Sequence, residues 1–256
     1  MRAVLGTLIP LAIVALLWDL FARSGIYNQA LTPPIAKIAQ AGWQMILDGS
    51  LAHDMAYTLY RLCFGFVVAV ALGVTLGMLM ARVSLAERFF LPLASVLNPV
   101  PSLAWIPLFV LWFGLGNSAT IALVAFAAVV PIMLNVWTGV KTVNGIWIRA
   151  AESMNCGGLR LFRYVVLPAA IPGIVSGLRI GFGRGWRAVV AGEMIAATQW
   201  GLGWVIFNSI AYLNTSVMLV GIVCIGVVGL VIETGVFSVL ERGTVVKWGM
   251  MQEKGI

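Results

Sequence analysis

The sequence predicts an all-α integral membrane protein, a bundle of six spanning helices with one long loop between the fourth and fifth. Three observations carry that expectation. Of 256 residues, 61% are hydrophobic and only 10% are charged, whereas a soluble domain is about 45–50% apolar and about 25% charged. So little polar surface cannot coat a globule in water, so the surrounding medium is lipid. Six stretches are apolar over the about 20 residues that a helix needs to cross a hydrocarbon core. The basic residues also gather on one side of those stretches, as positive-inside sorting requires.

The first stretch covers roughly residues 4–22. Its apolar run is long, Asp19 and Arg23 follow it, and no small-residue cleavage site appears, so it reads as a retained span rather than a leader. Residues 1–56 then form an N-terminal helix with an outer segment, residues 57–242 a core of spans that includes the loop 139–170, and residues 243–256 a tail. The second stretch, 57–81, repeats Gly65, Ala69, Gly73, Gly77 and Ala81 every four residues, a small-residue stripe that lets helices approach closely. The third, 89–112, contains "NPVPSLAWIP", where Pro99, Pro101 and Pro107 remove backbone donors. Lipid tolerates such a break only where neighbours or a wet cavity satisfy the freed carbonyls, so it is either a pathway lining or a packed kink. The fourth is 118–138. The fifth, 171–197, repeats the stripe with Gly173, Gly177, Gly181 and Gly185, and the sixth is 216–240.

Orientation follows from charge. With the N-terminus inside, the inner segments hold Arg2, Arg82, Arg88, Lys141, Arg149, Arg160, Arg163, Arg242, Lys247 and Lys254, and the outer ones only Arg23 and Lys37. Both termini are therefore expected in the cytoplasm. The net charge of +7 is what such sorting produces, and nucleic acid is not an expected partner.

Residues 139–170 form the long inner loop and read as two short amphipathic helices. Ile148, Ala151 and Met154 share one face of the first, and "CGG" at 156–158 breaks it. Leu159, Phe162 and Val166 form the apolar face of the second, with Arg160 and Arg163 opposite, until Pro168 is expected to end it. Such an apolar and basic knob either lies on lipid or seats in a groove of a soluble partner.

The fifth stretch carries Arg179, Arg184 and Arg187, with Glu193 as its one acid. At 1.5 Å per residue, Arg179 lies about 12 Å in, Arg184 about 20 Å and Arg187 about 24 Å. Arg179 can snorkel to headgroups, whereas a central arginine costs about 2.5–3.5 kcal/mol on insertion scales. Glu193 is not spaced to pair with Arg184 or Arg187 along the helix, so neutralisation comes from another helix, water or a ligand. Two roles remain open: a structural Arg–Glu pair between helices, or a positive lining for an anion in a wet pathway.

Here a resemblance enters. The loop resembles the coupling-helix signature of ABC importer permeases, in which "EAA", a glycine and "LP" recur. Alignment on Leu167 and Pro168 places Arg149, Ala150 and Ala151 on the "EAA" positions, with Glu152 after them, and Asn155 on the glycine, ahead of Gly157. Arginine for the acid reverses a charge at the implied contact, while asparagine tolerates the positive φ of a turn. "LTPPIAKIAQAGWQMI", "TLYRLCFGFVVAVALGVTLGMLMA", "PVPSLAWIPLFVLWFGLGNSATIAL" and "LPAAIPGIVSGLRIGFGRGWRAVVAGEM" are similar to the sulfonate, taurine and nitrate branch. In that branch the residue types of Arg61, Arg179, Trp186 and Glu193 are common at their positions.

The resemblance implies a six-span bundle of the type I importer kind in a bacterial inner membrane. It implies two permease copies, two cytoplasmic ATPases that bind ATP and magnesium, and an external solute-binding protein. No cofactor or metal is expected on this chain, and no GK[ST] phosphate loop is present. Arg179, Arg184, Trp186, Arg187 and Glu193 become pathway candidates, for a small anion such as a sulfonate, taurine, nitrate or carboxylate.

Enzymatic chemistry finds little support. His53 is the single histidine, beside Asp54 in an expected outer segment, where such a neighbour pair reads as a turn or surface pair. Cys63, Cys156 and Cys224 are isolated and read as core thiols. Trp43, Trp105, Trp112 and Trp186 fit a pocket lining less well than belt and core. The rival function is an ion-coupled secondary transporter with Arg184 and Glu193 as relay.

Overall fold

The computed structural model describes residues 2–241, with side chains over 9–239. The expected tail, 243–256, lies outside the described residues. All regular structure among those described is helical: α1 Arg2–Arg23, α2 Ile35–Leu47, α3 Ser50–Arg82, α4 Ser84–Leu97, α5 Ile106–Phe113 after a 3₁₀ turn, α6 Asn117–Lys141, α7 Gly145–Ser153, α8 Gly158–Leu161, α9 Leu167–Ala196, α10 Leu202–Ala211, α11 Thr215–Ile232 and α12 Ser238–Glu241.

Four helical runs among these residues are long and apolar enough to cross a membrane: Ser50–Arg82, Asn117–Lys141, Gly158–Ala196 and Thr215–Phe237. α4 and Ser102–Phe113 form a further apolar pair bent by 98°, the geometry of a broken span or of a re-entrant loop. The third stretch is thus broken where the prolines stand, between Leu97 and Ser102. The first stretch is α1, a helix of 22 residues, enough for about 33 Å.

The bundle is organised around α6. Val124, Ala128, Ile132 and Val136 on α6 are 0% exposed and lie between the two glycine stripes. A Cβ on Gly73 of α3 would come 2.8 Å from the Ile132 side chain, and one on Gly181 of α9 would come 2.6 Å from it. Gly173 faces Gly139 so closely that a Cβ there would sit 2.7 Å from the Gly139 Cα. Absence of side chains on α3 and α9 is what lets both pack directly on the bulky β-branched residues of α6. Both stripes are therefore packing surfaces.

Three expectations need correction. First, Pro168 does not end a helix. Helical structure runs from Gly158 to Ala196, and Pro168 sits in the first turn of α9. The preceding turn, Phe162–Val166, is a π-helix in which the Leu167 N–H reaches the Phe162 carbonyl. That wider turn accommodates a residue with no N–H to donate. Second, the segment between the first and second stretches, where the sequence reading names no helix, carries α2. α2 follows Pro33 and Pro34, and its first N–H, at Ile35, donates to Asp19 Oδ1 at 3.0 Å, while Trp18 Nε1 donates to the Pro33 carbonyl at 3.0 Å. α10, with 10 residues, is too short to register as a span. Third, His53 and Asp54 are not a surface pair. They lie inside α3, which begins at Ser50 rather than residue 57, and Asp54 is buried.

Candidate functional site

Three regions concentrate polar chemistry. At one end of the bundle, α7 starts on Asn144, whose side chain accepts the Ile146 N–H at 2.9 Å. It ends in a Schellman turn: Cys156 N–H donates to the Ala151 carbonyl and Asn155 N–H to that of Glu152, with Asn155 at φ 57°. The asparagine thus takes the left-handed conformation expected of the glycine position. Arg149, Ala150, Glu152, Asn155 and Gly157 are exposed, and Ala151, Leu167 and Pro168 are half-buried. Ile146, Trp147, Met154 and Leu159 stand exposed around them. The knob is tied to the spans by the Arg82 guanidinium, 3.3 Å from the centre of the Phe162 ring. Beside it, Lys141 Nζ bridges α6 to Glu87 of α4 at 2.7 Å.

Within the bundle, the proline break and the fifth-span arginines meet. A half-open cavity of about 350 Å³ is lined by Asn98, Pro99, Val100 and Pro101 from the break and by Arg184 and Arg187 from α9. Arg184 Nη1 donates to Asn98 Oδ1 at 2.8 Å, and Arg187 Nε donates to the Gly183 carbonyl of its own helix at 3.0 Å. Neither is in an ion pair among the described residues. Arg187 also borders a second cavity of about 460 Å³ with Arg179, Trp186 and Glu233. There Arg179 Nη2 lies 3.4 Å from Glu233 Oε1, so the Arg–Glu pairing between the fifth and sixth spans involves Arg179. Trp186 stacks on Phe182.

At the opposite end lies a sealed polar cluster. Glu193 is 0% exposed and Arg61 1%. Arg61 Nη1 donates to Glu193 Oε1 at 2.7 Å and to the Trp200 carbonyl at 2.7 Å. Its Nη2 reaches the Gln199 carbonyl at 3.0 Å, and its Nε reaches Asn117 Oδ1 at 2.8 Å. Glu193 Oε2 accepts from Thr58 Oγ1 and the Gly203 N–H, each at 2.9 Å. Asp54 Oδ1 accepts the Gly201 N–H at 2.8 Å. These bonds close the α9–α10 turn, in which Trp200 and Gly201 hold positive φ, onto α3 and the start of α6. Glu193 is thereby separated from Arg184 and Arg187.

Thr58 and Asn117 belong to this cluster and were not singled out by sequence, and Asp54, read there only as a neighbour of His53, belongs to it as well. A signal existed: Arg61 in the second stretch and Glu193 in the fifth lie towards the same end of the bundle, at matching depth with opposite charge.

A bundle of crossing helices with a polar break, arginine-lined cavities and an exposed helical knob defines a transport permease. Residues 73–243 match the family described as binding-protein-dependent transport system inner membrane component, and the chain belongs to that family. It is 34% identical to the taurine transport system permease protein TauC of Escherichia coli K12 over 239 residues, 91% of this chain and 86% of that protein. It is 30% identical to the putative aliphatic sulfonates transport permease protein SsuC of Bacillus subtilis 168, over 95% of this chain and 87% of that protein. It is likewise 30% identical to the nitrate import permease protein NrtB of Leptolyngbya laminosa, over 94% and 88%. Among solved structures, a chain of the MetNI methionine ABC transporter in inward-facing conformations shares the fold, with TM-score 0.63, 21% identity, and coverage of 73% of this chain and 93% of that one.

The chain is accordingly a multi-pass permease subunit of an ATP-binding-cassette importer, a transport component rather than an enzyme, with ATP hydrolysis on a separate subunit. Its family works with an ATPase and a solute-binding protein. The ion-coupled alternative is not favoured, and its relay pair is not formed, because Glu193 is bonded to Arg61.

Proposed function

We propose that this permease carries a small anion through a pathway lined by Arg184 and Arg187, with Arg179 and Trp186 bordering it. The observation that carries the reading is the meeting of these two arginines with the Asn98–Pro101 break in one cavity. Charged side chains within a span face the bundle interior or a water-filled space, and an arginine fork matches the oxygens of a sulfonate, carboxylate or nitrate. The relatives named for taurine, aliphatic sulfonates and nitrate all handle oxyanions, which supports the same class here.

The face of α9 that carries Arg179 and Arg187 is exposed in the single chain, and lipid is a poor neighbour for it. A second identical copy across this face would enclose the pathway. The knob of residues 145–166 then lies in the cytoplasm with both termini, and two ATPase subunits receive it. Closure of the ATPases on ATP shifts the bundle between inward- and outward-open packings as rigid bodies. In that scheme Arg149, Ala150, Ala151, Glu152, Asn155 and Gly157 form the contact, and Leu167 and Pro168 root it on α9. Glu193 is assigned with Arg61 to holding the outer end.

The test is ATP-driven uptake by the complete complex in proteoliposomes, with butanesulfonate, taurine and nitrate as probes. R184Q and R187Q are expected to lower uptake about tenfold or more while ATPase association and thermal stability persist. Full uptake by both variants, or stability lost while uptake per folded complex is kept, would make the arginines structural.

A further inference from the structure

We infer that Gly229 of α11 is a positioning residue for Trp186, and that through the indole it sets how long a solute the second cavity admits. The inference rests on the proposed pathway, of which this cavity is the part bordered by Arg179, Trp186 and Arg187. α11 passes α9 with no side chain at Gly229. A Cβ built there would lie 2.8 Å from Trp186 Nε1, 3.3 Å from Cε2 and 3.4 Å from Cδ1. Those three atoms are its nearest neighbours, so the edge of the indole occupies the space that a side chain at 229 would need.

One face of the indole is fixed. Trp186 stacks on Phe182 with the ring planes 15° apart. Phe182 is itself buried, held edge-on by Phe66 and against Phe237. With α11 at its edge and Phe182 behind it, the ring has one open direction, the cavity of about 460 Å³. An alanine at 229 would drive the ring back by about 1 Å to regain an ordinary contact, and the ring yields into that space. The site therefore differs from Gly73 and Gly173. Their close neighbours are a β-branched side chain and backbone, which cannot retreat, so an added carbon there costs stability. At Gly229 the neighbour is the far end of a side chain beside a cavity, so an added carbon costs width instead. Long solutes lose more than short ones, because a pocket discriminates by the apolar surface it can still enclose.

The experiment uses the complete complex and two readouts. In lipid nanodiscs, fluorotryptophan labelling and fluorine NMR follow the ring itself: the signal that W186F removes belongs to Trp186, and G229A is expected to move it. In proteoliposomes, the ratio of hexanesulfonate to ethanesulfonate uptake is expected to fall about tenfold in G229A, with the unfolding temperature within about 4 °C of the parent. The solute-binding protein is the same in every variant, so its own preference cancels from the comparison. G229A/W186F should show the same ratio as W186F, because a phenylalanine lacks the edge that meets residue 229 and the two effects are not additive. An unmoved Trp186 signal, an unchanged uptake ratio in G229A, or a G229A effect that persists in full beside W186F overturns the inference. Uptake of neither sulfonate by the unaltered complex overturns the anion pathway and the length selection with it, while the Trp186 signal still reports the Gly229 contact.

Discussion

Arg61 and Arg184 are the same side chain in the same bundle, and their surroundings are opposite. Around Arg61, a carboxylate, an amide oxygen and two backbone carbonyls take up the guanidinium, and the group is 1% exposed. Around Arg184, the amide oxygen of Asn98 takes one N–H and a cavity lies in front. A buried charge with every donor used fastens structure, because breaking it leaves an unpaired charge out of water. A charge inside a span with neither acid nor full hydrogen bonding is instead available to a ligand that brings its own negative charge. The comparison separates a fastening at one end of the bundle from the surface proposed to meet the anion.

That separation can be broken by mutation. The largest effect is expected from R61A, which leaves Glu193 buried and unpaired and should cost about 3–5 kcal/mol, read as a lower unfolding temperature and reduced yield in detergent. The double variant R61M/E193L should recover much of that loss, and failure to recover would show that the cluster acts through more than its charges. G173V comes next. Its side chain would press on Gly139, where an added Cβ already sits 2.7 Å from the Cα, and overpacking of this kind costs about 1–3 kcal/mol. Thermal unfolding of the purified chain measures it. K141A removes the partly exposed bridge to Glu87 and should cost about 0.2–1 kcal/mol, shrinking as salt is added. R184Q should move stability least, within about 0.5 kcal/mol. A stability loss for R184Q as large as that for R61A would erase the distinction between the two arginines.

Much of the fold was legible because lipid imposes a length and an apolarity on every crossing. The runs now forming α3, α6, α9 and α11 stand out on those grounds, and Pro99 and Pro101 mark the place where α4 and α5 part. The helical knob of residues 145–166 was legible as well: its glycines and asparagine mark the turn that Asn155 makes at φ 57°. Pro168 misled because a proline reads locally as a stop, while the π turn before it depends on how α9 packs and on Phe162 stacking under Arg82. α2 escaped notice because its anchoring to Asp19 crosses 16 positions of sequence.

Sequence by itself determined that this chain crosses a membrane, that its second and fifth helices offer glycine faces, and that three arginines lie in the fifth. Those are consequences of composition and helical period, which are local. Only the tertiary structure decided which arginine is spent on structure. Arg61 and Glu193 stand 132 positions apart, Asn98 and Arg184 stand 86 apart, and the docking of α3 and α9 on either side of α6 sets both distances. Glycine stripes fix how near those helices come, and the side chains then pair or remain available according to the depth at which each helix carries them.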